Sequence, residues 1–173
     1  MSATRVLEIL RANGIRLSRS LGQNFLVDDN ILTKIVQAAE PGSTDTILEV
    51  GAGIGTLTQA LAASGANVVA VEIDRRLLPV LRQVTAARPN VTIMAKDAMK
   101  LTPADLAKPV AINKMAANLP YNIAAPLLLD LAEMAPTIAI YTVMVQKEIA
   151  QRMCAQPGSK IYGAYTIKLS YYF

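Results

Sequence analysis

The chain has 173 residues, 53% of them hydrophobic and 17% charged, and a net charge of +4. That length allows one full domain, and the apolar share can build a core and argues against wholesale disorder. One cysteine and no histidine exclude a disulfide framework, Cys/His zinc clusters and any mechanism that needs an imidazole. No apolar run approaches the ~18 residues that cross a bilayer, so no membrane span is expected, and the longest uncharged apolar stretch is Ala135–Gln146.

Residues 1–20 hold four arginines and one glutamate, so three of the four net charges sit there. Arg5, Glu8, Arg11, Arg16 and Arg19 interrupt the apolar core that a signal peptide would need, and a cytoplasmic protein is expected. A basic arm of this kind either meets a phosphate-rich partner or is simply a solvated helix face. Ser2 is placed to cap a short helix to Asn13, with Gly14 as its stop. Ile15–Leu26 reads as irregular. Asp28, Asp29 and Asn30 are N-cap candidates for a helix whose apolar face is Ile31, Leu32, Ile35, Val36 and Ala39, ended by Pro41-Gly42.

From there the pattern alternates. Thr46–Val50 reads as a buried strand, Gly51–Gly55 as a glycine-rich turn, and Thr56–Ser64 as a helix stopped by Gly65. Val68–Glu72 is a second strand and Asp74–Ala87 a helix, in which Pro79 is tolerated in the first turn or as a kink. Val91–Ala95 is a third strand, followed by Asp97 and a short helix at Pro103–Ala107. A fourth strand ends near Ala116-Ala117. Asn118–Asn122 is read as a loop before a helix to about Ala135. Thr137–Val145 is a fifth strand, Lys147–Ala155 a helix, Pro157–Lys160 a turn, and Ala164–Phe173 a last helix or strand. The expected fold is α/β: right-handed βαβ units and a parallel sheet covered on both faces. Ligands of such sheets lie beyond the carboxyl ends of the strands, where each of the singled-out loops falls.

Gly51-x-Gly53-x-Gly55 follows the first strand, where glycine permits positive φ and close approach of the backbone to a ligand. Glu72 ends the second strand, 21 residues after Gly51, where a carboxylate can accept both hydroxyls of a ribose. Dinucleotide enzymes use G-x-G-x-x-G in this place. Glu49-Val50-Gly51-Ala52-Gly53-Ile54-Gly55 instead resembles the first motif of S-adenosylmethionine-dependent methyltransferases, whose cofactor is cationic and tolerates acidic neighbours. In that fold type Asp97 would accept from the adenine amino group; the plainer reading is a helix N-cap. Glu49 is either near the cofactor or a structural carboxylate bonded to loop amides.

Asn118-Leu119-Pro120-Tyr121 follows the fourth strand. Tetrapeptides of this type mark methyltransferases that act on a planar amino nitrogen. The Asn118 side-chain carbonyl and the main-chain carbonyl of Leu119 or Pro120 can accept both hydrogens of an adenine N6. Its lone pair is thereby aimed at an electrophile. Tyr121 offers a stacking face for the base. No general base is required, which suits a chain without histidine. The bland alternative is a proline turn with a core tyrosine.

With Leu21-Gly22-Gln23-Asn24-Phe25-Leu26, Asp97-Ala98, Gln146-Lys147-Glu148, Arg152 and Pro157-Gly158-Ser159-Lys160, these motifs resemble the small-subunit ribosomal RNA adenine N6,N6-dimethyltransferase family from about residue 15 onward. The resemblance implies a Rossmann-like methyltransferase sheet flanked by helices over 21–173, preceded by the basic arm 1–20. It implies Asn24 and Leu26 at the methionine end of S-adenosylmethionine, with Gly51 and Gly53 in the loop against the cofactor. Glu72 would hold the ribose, Asp97 the adenine, and Asn118 both cofactor and target amine. It also implies dimethylation of two adjacent adenosines in a hairpin near the 3′ end of small-subunit rRNA, within a pre-30S-type ribosomal particle. Family members continue beyond Phe173 into an edge hairpin and a helical domain, both lacking here. The fifth strand would then be an apolar edge open to self-association. Against this stand a non-catalytic RNA-binding or assembly factor using Arg5–Arg19, Lys147, Arg152 and Lys160, a methyltransferase of another planar nitrogen, and a dinucleotide oxidoreductase. Cys154 reads as a small buried hydrophobe, the methionines as core filler, and Lys114 as a solvated edge residue.

Overall fold

The computed structural model describes residues 8–9, 11–12, 14–15, 26, 28–107 and 111–173. Most of the basic arm and the segment 16–25, with Asn24, lie outside the described residues. Where the arm is described, residues 8–9 and 11–12 are helical, and Gly14 turns the chain at φ +62. Helix α1 spans Asp29–Ala39, capped by the Asp28 carboxylate on the amides of Asn30 and Ile31. Ile35 and Ala39 are buried, while Ile31 remains 36% exposed at the margin of the apolar face.

Strand β1, Thr46–Val50, is buried at every position. Helix α2 (Thr56–Ala62), β2 (Asn67–Val71), α3 (Leu78–Thr85) and β3 (Val91–Met94) follow, then a 3₁₀ turn at Ala98–Lys100 and α4 at Pro103–Leu106. The chain continues as β4 (Lys114–Asn118), α5 (Ala124–Met134), β5 (Ile140–Met144), α6 (Lys147–Met153) and α7 (Ala164–Leu169). The five strands are all parallel in the order β3-β2-β1-β4-β5. β1 is therefore the switch point: the chain builds outward through β2 and β3, then returns to place β4 on the other side of β1. Crevices open at such reversals.

Period-2 alternation sends the strand residues to two cores. Leu48, Val50, Val69, Val71, Met115 and Ala117 pack under Leu127, Leu128 and Leu131 of α5. Ile47, Val68 and Ala116 face the other way, against Ile35 and Ala39 of α1 and Leu57 and Leu61 of α2. Burial of each large side chain here contributes roughly 1.5–3 kcal/mol. At the carboxyl side of the fold, α6 and α7 are tied by the Thr166 hydroxyl, which donates to the Arg152 carbonyl at 2.7 Å, and by the Arg152 guanidinium over the Tyr165 ring.

Several expectations need correction. Lys114 is not solvated: it opens β4 with its side chain 14% exposed. Its ammonium meets Asp45 at 2.9 Å and donates to the carbonyls of Glu40 at 2.7 Å and Ala39 at 3.3 Å. Cys154 is exposed, just past the end of α6, a short helix with no buried residue. Met115 is a core residue but Met99 is 37% exposed, so the methionines divide between core and surface. α3 starts at Leu78, not Asp74, because Pro79 belongs in a first turn. The preceding turn is held by the Leu77 amide on the Asp74 carbonyl and the Arg76 amide on the Asp74 carboxylate. β4 runs through Asn118, since register with β5 continues to Met144. Among the described residues no helix is long and apolar enough to cross a membrane.

Candidate active site

The carboxyl ends of β1 to β4 border a cleft of ≈ 270 Å³. Its first wall is the loop after β1. Gly51, Gly53 and Gly55 all adopt positive φ, at +74, +60 and +83. The Gly51 and Ala52 amides donate to the Val71 carbonyl at 2.9 and 3.2 Å, so the loop folds back over the end of β2. Gly55 has no room for a side chain, since a Cβ would lie 2.8 Å from Leu81 and 2.9 Å from Val84. A Cβ on Gly51 would lie 3.3 Å from the Pro120 ring and 3.8 Å from the Asn118 carbonyl. The glycine bend and the tetrapeptide after β4, far apart in sequence, thus stand so close that a side chain on Gly51 would press on Pro120.

Glu72, 5% exposed, stands just beyond β2. One carboxylate oxygen accepts from the Gly53 amide at 2.7 Å, the other from the Asp74 amide at 2.8 Å. Burial pushes its pKa up, and those two amides pull it partly back. The bonding to loop amides expected as an alternative for Glu49 belongs to Glu72 instead. Glu49 is 2% exposed; the Thr58 hydroxyl and amide hold its carboxyl in part, while its Oε2 has no hydrogen-bond partner among the described residues. Burial pushes its carboxyl up to about 8, with the Glu72 charge adding to the rise. Asp97 is half-buried and its carboxylate accepts from the Met99 amide at 3.0 Å. It is therefore an N-cap, as the plainer reading had it, while also lining the cleft. Lys96, next to it, lines the cleft too, with its ammonium 2.5 Å from Asp105. Asp105 also accepts from the Thr102 amide and hydroxyl. These partners hold its carboxyl down at about 2, and the carboxylate closes the 96–105 loop into a ring.

Asn118, the last residue of β4, is half-buried, and the Leu119 amide extends the ladder by donating to the Met144 carbonyl at 3.0 Å. The Pro120 carbonyl accepts from Ile123 and Ala124 at 3.2 Å each, and so opens α5. Among the described residues no amide donates to the Leu119 carbonyl. Of the two main-chain acceptors considered, Leu119 is the one left open. Tyr121 is 43% exposed, not a core tyrosine.

The profile described as ribosomal RNA adenine dimethylase matches residues 14–173. The chain belongs to this family. It is 46% identical to ribosomal RNA small subunit methyltransferase A of Shouchella clausii (strain KSM-K16), over 97% of this chain and 58% of that protein. It is 43% identical to the protein of that name from Alkaliphilus oremlandii (strain OhILAs), over 99% of this chain and 61% of the relative. The chain thus spans about three fifths of the length of these relatives. Among solved structures, a dimethyladenosine transferase from Plasmodium falciparum superposes with a TM-score of 0.75 at 31% identity, over 85% of this chain and 52% of that one. The 23S rRNA methyltransferase ErmE gives 0.70 at 30% identity, over 83% and 56%.

Within this family frame, the structure brings Leu26, Gly51, Gly53, Glu72, Asp97, Asn118, Leu119 and Pro120 to one cleft. Tyr121 is not among the lining residues, and Asn24 lies outside the described ones. Sequence reasoning missed the apolar walls: Ile73, 51% exposed, Leu77, Met99 and Ile123. The signal was available in Ile73, an exposed aliphatic residue directly after the acid that ends a parallel strand. A planar heterocycle between such side chains gains burial without needing a polar partner.

Proposed function

We propose that the chain is the catalytic domain of an S-adenosylmethionine-dependent RNA adenine N6-methyltransferase. Its substrate is small-subunit ribosomal RNA within an assembling particle in the cytoplasm. There it converts two adjacent adenosines of a hairpin near the 3′ end to the N6,N6-dimethyl form. The observation that carries this reading is the close approach of Gly51 to Pro120 and Asn118 in the lining of one cleft, which sets a cofactor-type loop beside an amine-gripping tetrapeptide. Family membership and the identity of the aligned relatives support it.

The residues present fit the cofactor. The glycine bend leaves a side-chain-free surface, Glu72 retains lone pairs for ribose hydroxyls, and Asp97 can accept from an adenine amino group. Ile73, Met99 and Leu77 supply apolar walls, and Glu49 lines the same cleft. When bound, the cofactor supplies an electrophilic methyl on a sulfonium. Toward the target, the Asn118 side-chain carbonyl and the Leu119 main-chain carbonyl accept the two N6 hydrogens. That draws the nitrogen lone pair out of conjugation and directs it into the cleft. Tyr121, exposed beside them, offers a face to the extruded base. The N6 proton departs to water after transfer, since nothing in the geometry requires a base.

The test is calorimetry with S-adenosylmethionine, followed by mass spectrometry of small-subunit particles treated with wild type and Asn118→Ala. Wild type is expected to bind cofactor and methylate adenosine. The variant should lose roughly 10²–10³-fold in transfer, the usual effect of deleting one transition-state hydrogen-bond partner, with a much smaller change in cofactor affinity. Equal transfer by the two proteins would overturn the assignment. RNA retention with no methylation by either would favour an assembly factor instead.

A further inference from the structure

A second recess, of ≈ 300 Å³, adjoins the cleft, and Ala98 and Met99 line both. Its other walls are Leu101 and, from α5, Asp130, Glu133 and Met134. Ala98 and Leu101 are buried, Met134 is half-buried and Met99 is 37% exposed. The recess is thus apolar at its base, and the two acids, both exposed, stand at its margin. The helix itself disfavours them there. They are three residues apart, so they share a face and repel each other. Both lie in the carboxyl-terminal half of α5, where the aligned peptide dipoles already place negative charge. Among the described residues no loop amide covers the carbonyls of Ala132, Glu133 or Met134. α5 holds no lysine or arginine to offset the pair. Lys100 is exposed on the neighbouring turn, and among the described residues neither acid has a hydrogen bond or an ion pair with it or with any other group. On a chain of net charge +4, this is an unbalanced negative spot. Rules of local stability are broken in this way at sites that bind.

The apolar base and the acidic margin together select the occupant. A phosphate backbone is repelled by two carboxylates. A hydrated magnesium ion gains nothing from methionine and leucine walls. An arginine side chain satisfies both features: its methylene stem lies on Met99, Leu101 and Met134, and its planar fork faces Asp130 and Glu133. We propose that this recess is the docking pocket for an arginine-bearing segment of a protein partner. The proposal rests on reading the substrate as a ribosomal particle, and the partner is then a protein component of that particle. Charge complementarity at the recess lets the chain tell the assembled particle from bare RNA. The Met99 amide, which donates to the Asp97 carboxylate at 3.0 Å, belongs to the turn shared by recess and cleft. The protein contact is therefore made beside the reaction centre.

The test compares the whole chain with its double variant Asp130→Asn, Glu133→Gln. In methionine-methyl NMR, a blocked Arg-Gly-Arg peptide should shift the Met99 and Met134 signals of the wild type saturably, leave the core Met115 in place, and shift nothing in the variant. Magnesium chloride at the same ionic strength should not reproduce those shifts. Affinity for small-subunit particles should fall about tenfold in the variant, the usual effect of losing a charge-assisted contact. Affinity for protein-free small-subunit rRNA should stay the same or tighten slightly. The melting temperature of the variant should be equal or higher, because the helix loses its repulsion. Equal weakening on particles and on bare rRNA, no weakening on either, or shifts reproduced by magnesium would each overturn the inference while leaving the proposed function standing. A lower melting temperature would make the acids structural and overturn it as well. A wild type that binds neither particles nor rRNA would overturn this inference and the proposed substrate together.

Discussion

Gly51 carries two separate demands in one residue. Its φ of +74 is disfavoured for any side chain by ~1–2 kcal/mol, and its missing Cβ is the space into which Pro120 packs. Gly158 has a comparable φ of +87 but nothing within 4 Å of where a Cβ would stand. The pair separates backbone strain from site geometry. Gly51→Ala and Gly158→Ala should both lower thermal stability, by a few degrees in a melting curve. Only Gly51→Ala should weaken S-adenosylmethionine binding, by about tenfold or more in calorimetry, because it alone pushes the tetrapeptide away from the loop. Equal affinities in the two variants would show that the loop–tetrapeptide contact does not shape the site.

The elements are joined at the amino ends of the strands by a network that the sequence did not advertise. Asp45, just before β1, accepts from the Gly42 amide at 2.8 Å and the Asn113 amide nitrogen at 2.9 Å, and pairs with Lys114. Lys114 in turn covers the last carbonyls of α1. These donors hold the Asp45 carboxyl below its ordinary value, so its stabilising share is present above about pH 4 and is lost as pH falls through that range. Lys114→Met should cost about 3–5 kcal/mol in urea unfolding at pH 7, because it strands a mostly buried carboxylate. Adding Asp45→Asn should restore part of the loss; full additivity of the two would refute the pairing. Why Lys114 escaped sequence reasoning is plain: its partner lies 69 residues away, and exposure of a lysine is a tertiary property. The same holds for Cys154, which follows a helix too short to bury a face. By contrast, the glycine bend, Glu72, Asp97 and the tetrapeptide were legible because each is a local pattern at a strand end. Their meeting was inferable from parallel topology alone. The division of labour between Glu49 and Glu72 was not, since both acids flank the same loop and only packing decides which one its amides reach.

At the scale of the whole molecule, the sheet among the described residues has two edge strands, β3 and β5. Among the described residues β5 pairs on one side only, with β4. Ile140 at its start is 42% exposed, and the Phe173 ring, itself 60% exposed, meets Tyr141 edge-on at 4.9 Å. An apolar strand edge invites pairing with another chain. Sedimentation of the chain should show concentration-dependent association that Ile140→Lys suppresses; unchanged association in the variant would shift the contact elsewhere. The switch at β1 has a further temporal side. The Thr46 amide waits for the Asn113 side chain 67 residues later, and the Gly51 bend waits for Pro120 in the same way. A nascent polypeptide that has emerged only through β3 already owns the bend and both acids, yet its pocket stands open on one flank. Until the returning strand slots in beside the first, the cleft lacks the wall that Asn118, Leu119 and Pro120 supply.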